Sequence, residues 1–397
     1  MLLLLVATAC SERTVTTPDP PDPARSDTVE ARALWVSRFE YSTASSITAI
    51  LADAKRANFN IVYFQVRGVA DALYSSGIEP CSIRLCGKLG GTATWDPLAT
   101  AISEAHARGI QLHAWLNAFT GWTPTSASTC AALAESDAGN PRHVLLAHPE
   151  WRVVDDAGVP HPCPNTQESV WMSPGISGVR TQLARVAADV ARRYAVDGIH
   201  LDFIRYPGTK WSYDTASLRA FALDPAANKP LWDQFRRDQV SASVRETRDS
   251  VRAARPAAVL SAAVWGIYQD RWSWNSSRGY DQYFQDPRAW AASGTLDVAV
   301  PMMYWRITSS YCAYTDWSCL LDDHLPAYKA AQRHMYAGML ASYGVAEITR
   351  QVQLGRERGV HGFTVFSYGS AKSTGLFDSL AAGAFRLPAR VPTMPWR

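Results

Sequence analysis

From residue 31 onward the chain alternates two rhythms. Short runs dense in β-branched and aromatic side chains are separated by longer stretches in which apolar residues recur at helical spacing, the pattern of repeated βα units and a parallel sheet. Residues 33–40 (ALWVSRFE), 60–66 (NIVYFQV), 110–117 (IQLHAWLN) and 198–204 (GIHLDFI) read as strands one to four. Residues 258–265 (AVLSAAVW), 296–304 (LDVAVPMMY), 334–340 (HMYAGML) and 361–367 (HGFTVFS) read as strands five to eight. Helices are predicted over 44–57, 97–108, 179–194, 231–254 and 282–292. Eight such units predict one α/β domain, a (β/α)8 TIM barrel over residues 31–390, with no residues left for another domain. A doubly wound open sheet is the alternative, but it would need a switch point and usually fewer strands. The segments 118–177 after strand three and 203–230 after strand four far exceed ordinary βα loops. Both follow strand C-termini, the barrel face that carries active sites, and are expected to form cleft walls.

Strands covered on both faces should be almost continuously apolar, so polar residues on them need a reason. Here they come in period-two sets near the strand ends: Arg38 with Glu40, Gln65 with Arg67, His113 with Trp115 and Asn117, His200 with Asp202. Side chains two apart share a face, so the sets can converge on one cavity, whereas a polar plug in the barrel mouth is the structural alternative. Asp202 is the leading catalytic candidate, because a carboxylate ending an apolar strand is costly unless paired or used. Arg205 could pair with it. Glycoside hydrolysis needs two carboxyl groups, and Glu40 is the second candidate, with Asp270, Asp281 and Asp286 in the loop after strand five as alternative acids. Glu40 also has a structural reading, as partner of Arg38 or Arg67.

Aromatic residues cluster at the same ends: Trp115, Trp122, Tyr206, Trp265, Tyr304, Trp305 and Tyr368. They suit stacking on sugar rings, although burial under a loop explains each singly. Asn117 is expected to bond a sugar hydroxyl, and Arg67 a carboxylate or lactyl group if the glycan is acidic. His113 and His200 lie in the substrate-facing sets but read more readily as satisfied core histidines than as catalysts or metal ligands.

The bulk numbers narrow the classes. A net charge of +3 with arginines scattered along the chain argues against nucleic acid as a partner. The opening MLLLLVATAC is too short to span a bilayer and reads as a lipoprotein-type signal over residues 1–10, with Cys10 as lipidation site and membrane anchor; plain cleavage and an uncleaved anchor are the alternatives. Residues 11–30, rich in Thr, Pro, Asp and Ser, read as a disordered tether, and with the anchor on Cys10 the expected location is the cell envelope. Six cysteines remain. In an exported chain they predict disulfides, with sequence neighbours favouring Cys81–Cys86 and Cys312–Cys319 and leaving Cys130–Cys163, though fifteen connectivities are open. A zinc site competes, but lacks paired CxxC spacing.

Several segments are familiar together. RALWVSRFEY (32–41), DPLATAISEAHARGIQLHAWLN (96–117), HPEW (148–151), WMSPG (171–175), DGIHLDFIRYPG (197–208) and YDQYFQD (280–286) resemble the glycoside-hydrolase-like family 10 of bacterial exported proteins. The resemblance runs from about Arg32 to about Tyr368 and implies a TIM barrel, glycan hydrolysis and, for some members, action on peptidoglycan strands stripped of peptides. It maps Asp202 onto the family's strand-four aspartate. Phe203 stands where many relatives carry a second acid, and Glu40 where relatives often carry Asp. The expected activity is a monomeric glycosidase without cofactor or metal, acting on a cell-wall or related polysaccharide. A non-catalytic glycan-binding lipoprotein with a degenerate barrel is the alternative, and a metal-dependent hydrolase using His113, His200 and Asp202 a third.

Overall fold

The computed structural model describes residues 28–123, 126–135, 141–164, 169–310 and 312–397; the signal and lipidation readings at residues 1–10, including Cys10, lie outside them, as does nearly all of the tether. Eight parallel strands form the centre: β1 (Ala31–Val36), β2 (Ile61–Arg67), β3 (Gln111–Asn117), β4 (Gly198–Asp202), β5 (Val259–Trp265), β6 (Val298–Met302), β7 (His334–Leu340) and β8 (Gly362–Phe366). Each pairs with the next, and β8 returns to β1, so the sheet closes into the predicted barrel.

Register fixes what faces inward. Trp35 lies beside Tyr63, Tyr63 beside His113, and His200 beside Ser261. Because alternate residues share a face, Ala33, Trp35, Tyr63, Trp115, Ala263, Val300 and Tyr336 gather in the interior cluster. Their neighbours Leu34, Val36, Val62, Phe64, Leu112 and Leu201 point outward under the helices. The helix Ala44–Arg56 shows how the second layer is specified: Thr43 and Ser46 form a capping box, and Ile47, Ile50, Leu51 and Ala54 supply a buried stripe at helical spacing. Asp96 caps the helix Pro97–His106 by accepting from Ala99 N, with Pro97 in the first turn, where its missing N–H costs nothing.

The first strand is shorter than the sequence predicts. It ends at Val36, and Ser37–Glu40 form a turn closed by Glu40 N donating to Ser37 O at 3.0 Å. The long segment after β3 holds a two-stranded ribbon, Thr120–Trp122 against Val170–Trp171, and the Cys130–Cys163 disulfide ties it internally. Cys81–Cys86 and Cys312–Cys319 are the other two pairs. At the opposite end of the barrel, Val391 and Met394 pack against the interior cluster, and Trp396 Nε1 donates to Asp297 at 3.0 Å, so the ordered barrel extends past residue 390. Among the described residues no helix is long and apolar enough to cross a membrane.

Candidate active site

A cavity of about 560 Å³ opens where the strand C-termini meet, and Asp202 is the only carboxylate among the described residues that line it. Of the residues singled out by sequence, Arg38, Trp115, Asn117 and Asp202 share this lining. Gln65, Arg205, Trp265, Tyr304 and Trp305 complete the set. Trp35, Phe39, Phe203 and Phe366 also line it. Phe366 ends β8 and follows the same strand-end rule as Trp265. Phe39 carries no comparable signal, since its exposure depends on where β1 stops.

Local geometry aims Asp202. Phe203 adopts φ 50°, a left-handed conformation that costs a non-glycine residue roughly 1–3 kcal/mol. The turn brings Phe203 N back to donate to Asp202 Oδ1 at 2.7 Å, which fixes the carboxylate. Burial and then the Asp202 charge push the Tyr304 phenol well above its ordinary value, so it remains a neutral hydroxyl in the same wall. Arg205 is held by aromatic faces, its guanidinium carbon 5.0 Å from the rings of Trp171, Phe203 and Tyr283 and 5.1 Å from Trp265.

A chain of amide bonds sets the other wall. Arg38 N donates to Gln65 Oε1 at 3.0 Å, Gln65 Nε2 to Asn117 Oδ1 at 3.0 Å, and Asn117 Nδ2 to Gly68 O at 3.1 Å. The Arg38 side chain lies over Phe39, 4.4 Å from its ring centre. Gly68 makes room for it, because a Cβ added there would sit 2.6 Å from Arg38 Nε.

Beneath the cavity His200 is engaged through both ring nitrogens. Trp35 Nε1, which can only donate, lies 3.0 Å from His200 Nε2, so that nitrogen accepts and Nδ1 carries the proton toward Ser261 Oγ at 2.8 Å. Burial pulls His200 well below its ordinary pKa and His113 down to about 4. Neither histidine lines the cavity, so the substrate-contact expectation for both is corrected to a core role. The metal reading loses its ligands with them. Among the described residues no group of three or more His, Cys, Asp or Glu is gathered to hold an ion.

Other expected site residues are also placed elsewhere. Arg67 is fully buried, bidentate to Glu79 and bonded to the carbonyls of Asn117 and Ala118, so its donors hold the end of β3 and none points to a glycan. Glu40 leaves the barrel with the Ser37–Glu40 turn. Its Oε2 accepts from Ser37 N at 2.6 Å, and its Oε1 from Ser367 Oγ at 2.7 Å and Gly369 N at 2.6 Å, which ties the β1 and β8 loops together, and Glu40 itself does not line the cavity. Tyr206 is buried against Ser212 Oγ, Tyr368 donates to Asp53 on the outer layer, and Trp122 packs on His143. None of the alternative acids lines the cavity. Asp270 is burdened by burial, yet the N–H groups of Trp274, Trp272 and Asn275 hold its pKa below the ordinary value, the opposite of what a proton donor needs. Asp281 pairs with Arg278, and Asp286 caps the helix Pro287–Ala292.

Comparison with known proteins agrees with this architecture. Glycosyl hydrolase YngK of Bacillus subtilis (strain 168) is 27% identical over 404 residues, covering 92% of this chain and 74% of that protein. Glycosyl hydrolase DigH of Escherichia coli (strain K12) is 28% identical over 354 residues, 83% of this chain and 76% of its own. Among solved structures, the glycoside hydrolase domain of PgaB (BpsB) from Bordetella bronchiseptica superimposes with TM-score 0.62 at 12% identity, covering 88% of this chain and 99% of that one. The α-L-fucosidase isoenzyme 2 from Paenibacillus thiaminolyticus gives 0.60 at 13% identity, over 90% and 49%. Those two likenesses speak to the fold. The relatives' shared class places this chain among glycoside hydrolases, and since the family model described as Glycosyl hydrolase-like 10 matches residues 30–352, the chain belongs to that family.

Proposed function

We propose that this protein hydrolyses O-glycosidic bonds in a bacterial cell-wall or related polysaccharide, with peptide-free peptidoglycan strands as the first substrate to try, and that Asp202 is its central catalytic carboxylate. The observation that carries the proposal is the position of Asp202 at the C-terminal mouth of the barrel, in a cavity walled by Trp35, Trp115, Trp265 and Trp305. Flat aromatic walls match the apolar faces of sugar rings. Hydrolysis through an oxocarbenium-like transition state needs an anionic group at the anomeric centre and a proton at the departing oxygen. Asp202 takes the first part: Phe203 N orients it, and the charge of Arg38 is close enough to interact with it.

The cellular setting belongs to the same proposal: a monomer exported to the envelope and anchored through Cys10. Three disulfides support an oxidising compartment. The test is incubation of the purified chain with peptide-free peptidoglycan and a polysaccharide panel, with products read by mass spectrometry beside Asp202→Asn. Release by the wild type and not by the variant supports the proposal. Equal release by both refutes the role of Asp202, and affinity without any release favours the binding-module alternative.

A further inference from the structure

We infer that the cavity seats a sugar carrying a carboxylate, either a uronic acid or a lactyl ether, and that the Arg38 guanidinium reads that charge; the inference rests on the glycoside-hydrolase proposal above. Arg38 lines the cavity, and both of its backbone polar groups are engaged: N donates to Gln65 Oε1 at 3.0 Å, and O accepts from Arg84 Nε at 3.1 Å. Its guanidinium is different. Among the described residues it donates no hydrogen bond and makes no ion pair within 4.0 Å, although Asp71 and Asp202 are near enough for their charges to act on it.

The side chain is nonetheless held in a built seat. One face rests on Phe39, the missing Cβ of Gly68 gives it room, and Arg84 lies over the same Phe39 ring at 4.8 Å. Phe39 is itself 63% exposed, so the ring stands at the rim as a shelf with two cations against it. Burial pulls the Arg38 pKa down, with Asp71 and Asp202 opposing and Arg84 adding to the strain. Arg38 is half-buried and lines the cavity with no protein acceptor on its guanidinium, so a ligand entering there meets donors that no side chain has taken. A carboxylate fits best, since its two oxygens match the planar fork and its charge answers a wall where two arginines meet. A hydroxyl would satisfy one donor and leave the charge.

The test compares each acidic glycan with its carboxyl-reduced form, using peptide-free peptidoglycan for the lactyl group and a polyuronate for the uronic acid. Carboxyl reduction should raise the wild-type KM about tenfold to a hundredfold for whichever source is native, with a smaller change in kcat. In Arg38→Gln the acid-to-reduced ratio should collapse toward one. Gly68→Ala should collapse it too, because the new Cβ evicts a guanidinium that is still present. The same two comparisons, over four ligands, are repeated as binding titrations on Asp202→Asn, with and without Arg38→Gln, so the ratio is read without turnover. A wild-type protein indifferent to carboxyl reduction, or an Arg38→Gln protein that keeps the preference, overturns the inference. Absence of hydrolysis with an intact binding ratio would sink the hydrolase proposal and leave the Arg38 assignment standing.

Discussion

Lowering the pH from 7 to 5 should destabilise this protein through its buried histidines. His143 is buried with both ring nitrogens committed: Nε2 faces Val69 O at 3.0 Å, and Leu145 N donates to Nδ1 at 3.2 Å. A second ring proton would meet the Leu145 N–H head on. Burial accordingly holds His143 and His113 at about 4, and pulls His200 and His324 in the same direction. In the unfolded chain a histidine titrates near 6.5, so it takes up its proton while the folded residue stays neutral. Stability is therefore full above about 6.5 and falls as pH drops toward about 4.

At pH 5, His113 and His143 should each cost about 2 kcal/mol, roughly 4 kcal/mol together, against a total stability on the order of 5–15 kcal/mol. Urea unfolding followed by tryptophan fluorescence at pH 7.5, 6.5, 5.5 and 5.0 measures this directly. Carboxylates held low, Asp316 among them, protonate only below this window. His143→Asn should reduce the slope by about 1.4 kcal/mol per pH unit. Unfolding free energies that stay level from pH 7 to 5, or a slope untouched by His143→Asn, would refute the reasoning.

Three other outcomes are expected. Arg67→Met should lower stability by about 3–5 kcal/mol, because it strands the buried Glu79, and Arg67→Met with Glu79→Leu should recover most of the loss in thermal melts. Glu40→Gln should lower the melting temperature, since its amide cannot accept from all three donors, yet cost less than about tenfold in rate, far less than a change at the reaction centre. Replacing Cys130 and Cys163 by Ser frees a loop spanning 33 positions and should cost roughly 3–4 kcal/mol by the loop-entropy estimate, seen as a lower denaturation midpoint without change in the circular dichroism of the barrel.

The barrel was legible because burial on both faces leaves runs such as IVYFQV and VLSAAVW that no amphipathic helix would carry. Asp202 stood out for the same reason. What the sequence hid were partners. Arg67 and Glu79 are twelve positions apart and on different elements, so nothing local shows that Arg67 is spent on a buried pair. Alternation alone continues strand one through Ser37–Glu40, but a turn closed by Glu40's own side chain ends it, and Glu40 bonds Ser37 without lining the cavity itself. Arg38 was visible as a polar strand-end residue. Its seat was not, since it is made by Gly68 and Arg84, whose ordinary sequence context gives no hint that they meet it. His200 shows the limit of the polar-on-a-strand rule, which cannot separate a residue at the floor of a cavity from one bonded beneath it.

The central claim, that the bond to be broken is brought to Asp202, is tested most directly by a crystal structure of Asp202→Asn with a bound oligosaccharide substrate. The residue-202 side chain should lie about 3–3.5 Å from the anomeric carbon or hydrogen-bond a water aimed at that carbon, with sugar rings against Trp265 or Trp305. An oligosaccharide bound in register elsewhere on the barrel, or in the cavity with every glycosidic bond beyond reach of residue 202, would contradict the account.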